Sequence, residues 1–349
     1  MMKNWWSDPI SALDQQAAEQ ASARQAELTK PPRSLGRLES VAIQLASMQG
    51  VESPVVEQVW ITIFAADHGV ASLGVSAFPQ DVTAEMVRNF SRGGAAIAVL
   101  AKQLGATLEV VNVGTVSAIE PLPQVLDARV AAGTRSFVSD AAMDHSHLEQ
   151  AMAVGRDAVM RAQQAGADLY IGGEMGIGNS TAAAAVAAAL LKQEGRVVAG
   201  VGTGVDVDGV SHKSEVIQQA LDFHHDYLND PLEVLRRLGG FEVAALSGSY
   251  IAAAQQRLPI LVDGFISSVA ALLATRIQPD ARQWMLFSHR SAEQGHQRVL
   301  EAMQAEPLLD LGMRLGEGSG AAVALPLLQQ ACQLHREMAT FAEASVSQA

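Results

Sequence analysis

The sequence predicts an α/β fold, a Rossmann-like parallel sheet with helices on both faces. Short, continuously apolar runs such as "VWITIFAADHG" and "TLEVVNVG" lack the alternation of a half-exposed strand, which places both of their faces under cover. Most of these runs end in Gly, Asp or Asn, and helical stretches separate many of them. Composition agrees: 349 residues, 49% hydrophobic and 17% charged, suit a compact chain with a large core.

Residues 8–29, rich in Ala, Gln and Glu, read as a helix. It is stopped by "KPPRSLG" (30–36), because the residue before a proline is pushed out of the α region. This makes an N-terminal helical appendage. From residue 59 the β-rich runs follow: "VWITIFAADHG", "TLEVVNVG", "ADLYIGGEMGIGN", "RVVAGVGTG" and "LPILVDGF", with helices expected over 83–103, 143–165 and 241–256. The run "AAAAVAAALL" (182–191) is too short to span a bilayer and reads as a helix buried on most sides. After 306 the pattern is helical again to about 345. There is no internal repeat and no long linker. Open sheets of this kind take ligands at the carboxyl ends of their strands.

Charge and cysteine content narrow the function. A net charge of −13 and a pI of about 5.1 argue against nucleic acid and anionic membrane surfaces as partners. An anionic substrate therefore needs local donors. The single cysteine, Cys332, builds neither a disulfide framework nor a Cys-based zinc site. With no signal-length apolar segment at the amino terminus, the expected location is the cytoplasm.

Among the motifs, "IGGEMGIGNSTAAAA" (171–185) runs strand, Gly-rich loop, helix. Its spacing from Gly173 to Gly178-Asn179-Ser180 mimics a phosphate loop with Asn in place of Lys. Backbone amides at a helix start can bind a small phosphate in that arrangement; an ordinary turn with a Ser or Thr N-cap is the competing reading. "GVGTGVD" (200–206) misses the dinucleotide fingerprint, since no helical pattern begins directly after it. Lys213 follows, either a phosphate contact or a solvated surface lysine. The histidines at "DHG" (67–69), "HSH" (145–147), "HH" (224–225) and "SHRSAEQGH" (288–296) lack metal-site spacing and are expected at the surface. A serine nucleophile elbow is absent around Ser249 and Ser319. Two carboxylates in glycine settings, Glu174 and Glu317, remain as acid/base candidates whose pKa desolvation could raise. Glu317 could equally be an acid placed to favour a helix dipole.

Taken in order, "KPPRSLGRLE" (30–39), "ADHGV" (66–70), "GVSAFPQDVT" (74–83), "GEMGIGNST" (173–181), "GGFEVAALSG" (239–248), "LPILVDGFISS" (258–268), "SHRSAEQGH" (288–296) and "RLGEGSGAA" (314–322) give a chain that resembles the nicotinate-nucleotide:dimethylbenzimidazole phosphoribosyltransferase family over nearly its whole length. The resemblance implies that a benzimidazole nitrogen displaces nicotinate from nicotinate mononucleotide, with inversion at the anomeric carbon. Glu317 matches the family's general base, and Glu174 stands at the same mouth. Gly176, Gly178, Asn179, Ser180 and Thr181 match the loop near the phosphate, with Gly202 and Lys213 as a second phosphate-side contact. Asp263, Gly264 and Ser291 lie in segments expected to face ribose and phosphate. An apolar wall of Phe78, Met86, Met175 and Leu315, with Gln80 as a polar contact, would take 5,6-dimethylbenzimidazole. Asn112, Ser180 and Phe78 depart from common family residues. The resemblance further implies no metal, no cofactor, a homodimer, and a small helical domain built from both chain ends. The expected division is 1–30 and 306–349 for the terminal parts and 31–305 for the large nucleotide-binding domain. A non-catalytic nucleotide-binding or regulatory protein would keep the same glycines, and an NAD-dependent oxidoreductase lacks its fingerprint.

Overall fold

The computed structural model describes residues 4–202 and 204–347. The chain opens with α1 (Gln15–Glu27), N-capped by the Asp14 carboxylate, and α2 (Arg37–Gln49), ended by Gly50 in the left-handed conformation. Then come β1 (Val59–Ala66), α3 (Val82–Arg92), α4 (Ala96–Leu104), β2 (Thr107–Gly114), β3 (Val125–Asp127), α5 (His145–Gln164) and β4 (Leu169–Met175). A helical stretch follows: α6 (Asn179–Leu191), α7 (Gly195–Val198), α8 (Val207–His224), α9 (Pro231–Leu238) and α10 (Phe241–Gln255). The chain finishes with β5 (Ile260–Val262), α11 (Phe265–Ile277), β6 (Met285–Phe287), α12 (His296–Ala302) and α13 (Ser319–Glu337).

The six strands form one parallel sheet in the order β3-β2-β1-β4-β5-β6. The chain winds outward from β1 in one direction, then returns to β4 and winds outward in the other. The strand order reverses between β1 and β4, the kind of point at which open sheets take ligands. Phe64 pairs with Glu174 and Ala65 with Met175, so the loops that begin at Asp67 and Gly176 leave the sheet side by side. Ile61, Ile63, Phe64 and Ala65 are all fully buried, which is why β1 shows no polar alternation. The alanine-rich α6 and α10 are buried on nearly all sides, as the 182–191 run predicts. Gly155 lets α5 lie close against α10, since a side chain there would collide with the Ala245 carbonyl.

The two chain ends meet. Leu28 and Thr340 form an antiparallel bridge, Arg24 donates to the carbonyls of His335 and Arg336, and α13 packs on α2.

Four local expectations are corrected. The 83–103 helix is two helices, broken by Gly93 at φ 80 and Gly94. The described residues of "RVVAGVGTG" form no strand: they give the short α7 and irregular chain after it, and Thr203 lies outside the described residues. A helix does begin after "GVGTGVD", because Asp206 accepts from the Gly209 amide at 2.9 Å and caps α8. Beyond 306 the only regular helix among the described residues is α13; Gly312, Gly316 and Gly318 at positive φ keep the preceding segment irregular.

Candidate active site

A cavity of about 640 Å³ lies at the carboxyl ends of β4, β5 and β6. β4 supplies Glu174 and Met175 and leads into Gly176, Ile177, Asn179 and Ser180; β5 leads into Asp263 and Gly264; the chain after β6 supplies His289, Ser291 and Glu293. Phe78, Val82 and Met86, at and before α3, form an apolar wall with Met175, and Arg314 to Glu317 close the lining. The structure thus brings together residues from Phe78 to Glu317 that are far apart in the sequence.

Glu317 sits in unusual backbone. Gly316, Glu317 and Gly318 are all left-handed, at φ 89, 63 and 75. For the glutamate this strain costs roughly 1–3 kcal/mol, which surrounding contacts must offset. Ser319 Oγ donates to the Gly316 carbonyl at 2.6 Å, and the Gly318 amide donates to Asp263 Oδ2 at 3.1 Å. Gly173 makes room beneath: a Cβ there would lie 2.6 Å from the Glu317 carbonyl carbon. The Glu317 side chain is 6% exposed, and its Oε2 has no hydrogen-bond partner. Burial pushes its carboxyl up to about 7, with the Ile97 amide opposing and the negative charge of Asp263 adding to the rise.

Glu174 stands against the same loop, since a Cβ on Gly316 would come within 2.5 Å of its Oε1. Its Oε2 accepts from the Asn179 side-chain amide. Burial holds this carboxyl well above the usual range, and the nearby charges of Glu242, Asp263 and Glu317 push the same way. The site is therefore rich in acids, with Glu174, Asp263, Glu293 and Glu317 all on the cavity lining.

A cationic corner adjoins the start of α6. Lys213, expected as a possible surface residue, is 1% exposed and donates to Ser180 Oγ at 2.9 Å and to the Gly200 carbonyl at 3.3 Å. Burial lowers its ammonium to about 8, against the opposing effect of Glu293. A Cβ on Gly202 would meet Ser180 Oγ at 2.5 Å and Lys213 Nζ at 2.8 Å, so glycine leaves this corner open. Arg314 donates to the Gly202 carbonyl at 2.9 Å, adding a second cation.

Of the residues singled out from sequence, Glu317, Glu174, Gly176, Asn179, Ser180, Gly202, Asp263, Gly264, Ser291, Phe78, Met86, Met175 and Leu315 line the cavity. Gly178, Thr181, Lys213 and Gln80 stand outside the lining. Gly178 caps α6 at φ 94 with no side-chain bond, in place of the Ser or Thr cap considered, and the buried Thr181 hydroxyl is unpartnered. Gln80 donates to the His68 carbonyl at 3.1 Å. Glu293 and Arg314, not singled out from sequence, also line the cavity, as does His289, which the sequence placed at the surface. Arg314 lies in the same short segment as Glu317, "RLGEGSGAA", so its position in sequence already points to the site.

The histidines correct the surface expectation: His68, His224, His289 and His296 are buried. His68 Nε2 lies 2.6 Å from Glu242 Oε1, and His224 Nε2 bonds the Phe137 carbonyl at 2.9 Å. For His68 and His224 a buried acceptor, invisible in local sequence, explains why the ring leaves the surface, and His296 is held by the Ser291 amide and the Ser268 hydroxyl.

A family model described as phosphoribosyltransferase matches residues 10–346. A nicotinate-nucleotide–dimethylbenzimidazole phosphoribosyltransferase of Azotobacter vinelandii (strain DJ) is 58% identical over 350 residues, covering 100% of this chain and 99% of that protein. One of the same name from Pseudomonas aeruginosa PAO1 is 58% identical over 347 residues, 99% of each chain. The crystal structure of an enzyme so named from Thermus thermophilus superposes with a TM-score of 0.91 at 42% identity, covering 97% of this chain and 100% of that one.

Proposed function

The chain belongs to the nicotinate-nucleotide–dimethylbenzimidazole phosphoribosyltransferase family, and on that premise we propose that it moves the phosphoribosyl group of nicotinate mononucleotide onto 5,6-dimethylbenzimidazole. The products are nicotinate and α-ribazole 5′-phosphate, and Glu317 acts as general base.

One benzimidazole nitrogen attacks the anomeric carbon from the face opposite nicotinate. The bond to the pyridinium nitrogen breaks, and its electron pair leaves with nicotinate. The other benzimidazole nitrogen loses its proton to Glu317, so the product azole is neutral. The observation that carries this reading is Glu317 itself: a carboxyl buried in the cavity, with Oε2 unpartnered and a pKa of about 7, suited to accept a proton at neutral pH. Positive charge that develops on the sugar is stabilised by the ionised Glu317 carboxylate on the cavity lining. Phe78, Val82, Met86, Met175 and Leu315 suit the planar apolar acceptor. The start of α6, Ser180, Gly202 and Lys213 suit the monophosphate, with Gly176, Gly178, Asn179, Thr181, Gly264 and Ser291 shaping that side. No metal or cofactor enters this scheme.

The homodimer remains part of the proposal. Phe78 and Leu315 line the cavity yet are 53% and 59% exposed, and a second copy over this mouth would cover them. No helix among the described residues is long and apolar enough to cross a membrane; we place the enzyme in the cytoplasm. The division into 1–30 with 306–349 against 31–305 also stands as a proposal, with α2 the surface on which the terminal parts rest.

The test is a product assay with the mononucleotide and 5,6-dimethylbenzimidazole, comparing native protein with Glu317→Gln. The expected result is nicotinate release and α-ribazole phosphate from native protein, and binding with far slower turnover from the variant. Mononucleotide binding without product from native protein would favour a non-catalytic binding protein.

A further inference from the structure

Asp263 lies just past β5, 1% exposed, on the wall of the cavity. Both of its oxygens are engaged by backbone far along the chain. Oδ2 accepts from the Gly318 amide at 3.1 Å and Oδ1 from the Ala321 amide at 2.9 Å, 58 residues away in sequence for the second. These amides open the first turn of α13, directly after Glu317. Orphan amides at a helix start need acceptors, and here a carboxylate from the sheet provides them. His289 Nε2 stands 3.7 Å from Oδ1 on the other side. Gly320 has no side chain because a Cβ there would collide with the His289 ring and lie 2.9 Å from Asp263 Oδ1.

The left-handed Glu317 is flanked by two tied groups, the Gly316 carbonyl held by Ser319 Oγ and the Gly318 amide held by Asp263, and the second reaches across to the sheet. We propose that Asp263 is a positioning residue, which ties the start of α13 to the sheet and so holds the strained Glu317 with its carboxyl in the cavity. It acts through the backbone of the base rather than by gripping the mononucleotide. This inference rests on Glu317 being the base.

Its charge gives a second readout. The charged and titratable groups that share the cavity with Glu317 are Glu174 from β4, Asp263, His289 and Glu293 after β6, and Arg314 in its own loop, while α4 contributes the Ile97 amide. Asp263 is the charge among them that raises the proton affinity of Glu317.

The experiment compares native protein with Asp263→Asn for kcat, KM for nicotinate mononucleotide, the pH profile of kcat, and hydrogen exchange at Gly318 and Ala321. The asparagine keeps the shape but presents a donor to one of two amides. We expect kcat to fall about 10- to 100-fold through misplacement of the base, while KM changes less than about threefold. The kcat midpoint should move to lower pH, and both amides should lose protection. A tenfold or greater rise in KM with an unmoved midpoint would assign Asp263 to substrate binding and overturn the proposal. Should the variant not fold, exchange in native protein decides: amides at Gly318 and Ala321 that exchange as fast as open loop also overturn it. A Glu317→Gln variant as active as native protein sinks the base reading instead, and leaves amide protection to report on the anchor alone.

Discussion

Replacing Glu317 with Gln should make the protein more stable at neutral and alkaline pH even as it removes the base. Lifting a carboxyl from its ordinary 4.5 to about 7 costs its ionised folded form about 3 kcal/mol. Between those values the folded chain holds the proton and the unfolded chain has lost it. Folding then takes up protons, so native stability falls as pH rises through this window. Glutamine has no proton to lose and escapes the decline. Any imperfect contact of its amide nitrogen is an offset that is the same at every pH and leaves the trend untouched. Urea unfolding of both proteins at pH 5 and pH 8 measures the effect: the variant should gain about 2–3 kcal/mol on native protein between the two. A stability difference that stays constant from pH 5 to pH 8 would refute the desolvated state of this carboxyl, and with it the physical basis for its use as a base near neutrality.

Three further outcomes follow from the same geometry. The kcat of native protein should rise about tenfold per pH unit below 7 and level off above, since only the ionised Glu317 accepts a proton; a profile flat from pH 5 to 8 counts against it. Lys213→Met should raise KM for the mononucleotide about 10- to 100-fold, the worth of a charged hydrogen bond. In native protein the same KM should climb above about pH 8, where this lysine loses its proton; steady-state kinetics across pH 6–9 tests both. Gly173→Ala should cut kcat at least about 100-fold with little change in the circular dichroism spectrum, because the new methyl forces the Glu317 backbone out of place.

Local sequence reveals a site when the chemistry and the backbone requirement lie in the same few residues. Glu317 between two glycines, and Glu174 ahead of a Gly-rich helix start, are of this kind, and both reach the cavity. The long apolar runs of β1 and β4 are legible for the same reason, since burial on both faces marks nearly every residue, while β2 carries that mark only from Val110 onward. The three-residue β3 and β6 carry too short a pattern to show a period, while the valines of 197–201 imitate a strand that finds no neighbour to pair with. Lys213 and the buried histidines are harder still, because their placement depends on partners elsewhere in the chain: Ser180 and Gly200 for the lysine, Glu242 for His68.

The crowd of acids in this cavity looks costly for folding and is better explained by what it does to protons. One isolated carboxylate in water would be ionised at pH 7 but too weak a base to matter, whereas burial beside Asp263 brings Glu317 to the point where proton capture and ionisation are balanced. The same charges favour a donor whose leaving group is a pyridinium and whose sugar turns cationic as the bond breaks. They also disfavour a phosphate, which is why the cationic Lys213 and Arg314 gather at the corner of Ser180 and Gly202. Placing a cation in the cavity that Glu317 lines, as in Met175→Lys, should therefore lower the kcat midpoint and reduce turnover together, through a better-ionised but weaker base. A variant with a lower midpoint and undiminished turnover would show that the acidity of the site serves some end other than tuning this proton transfer.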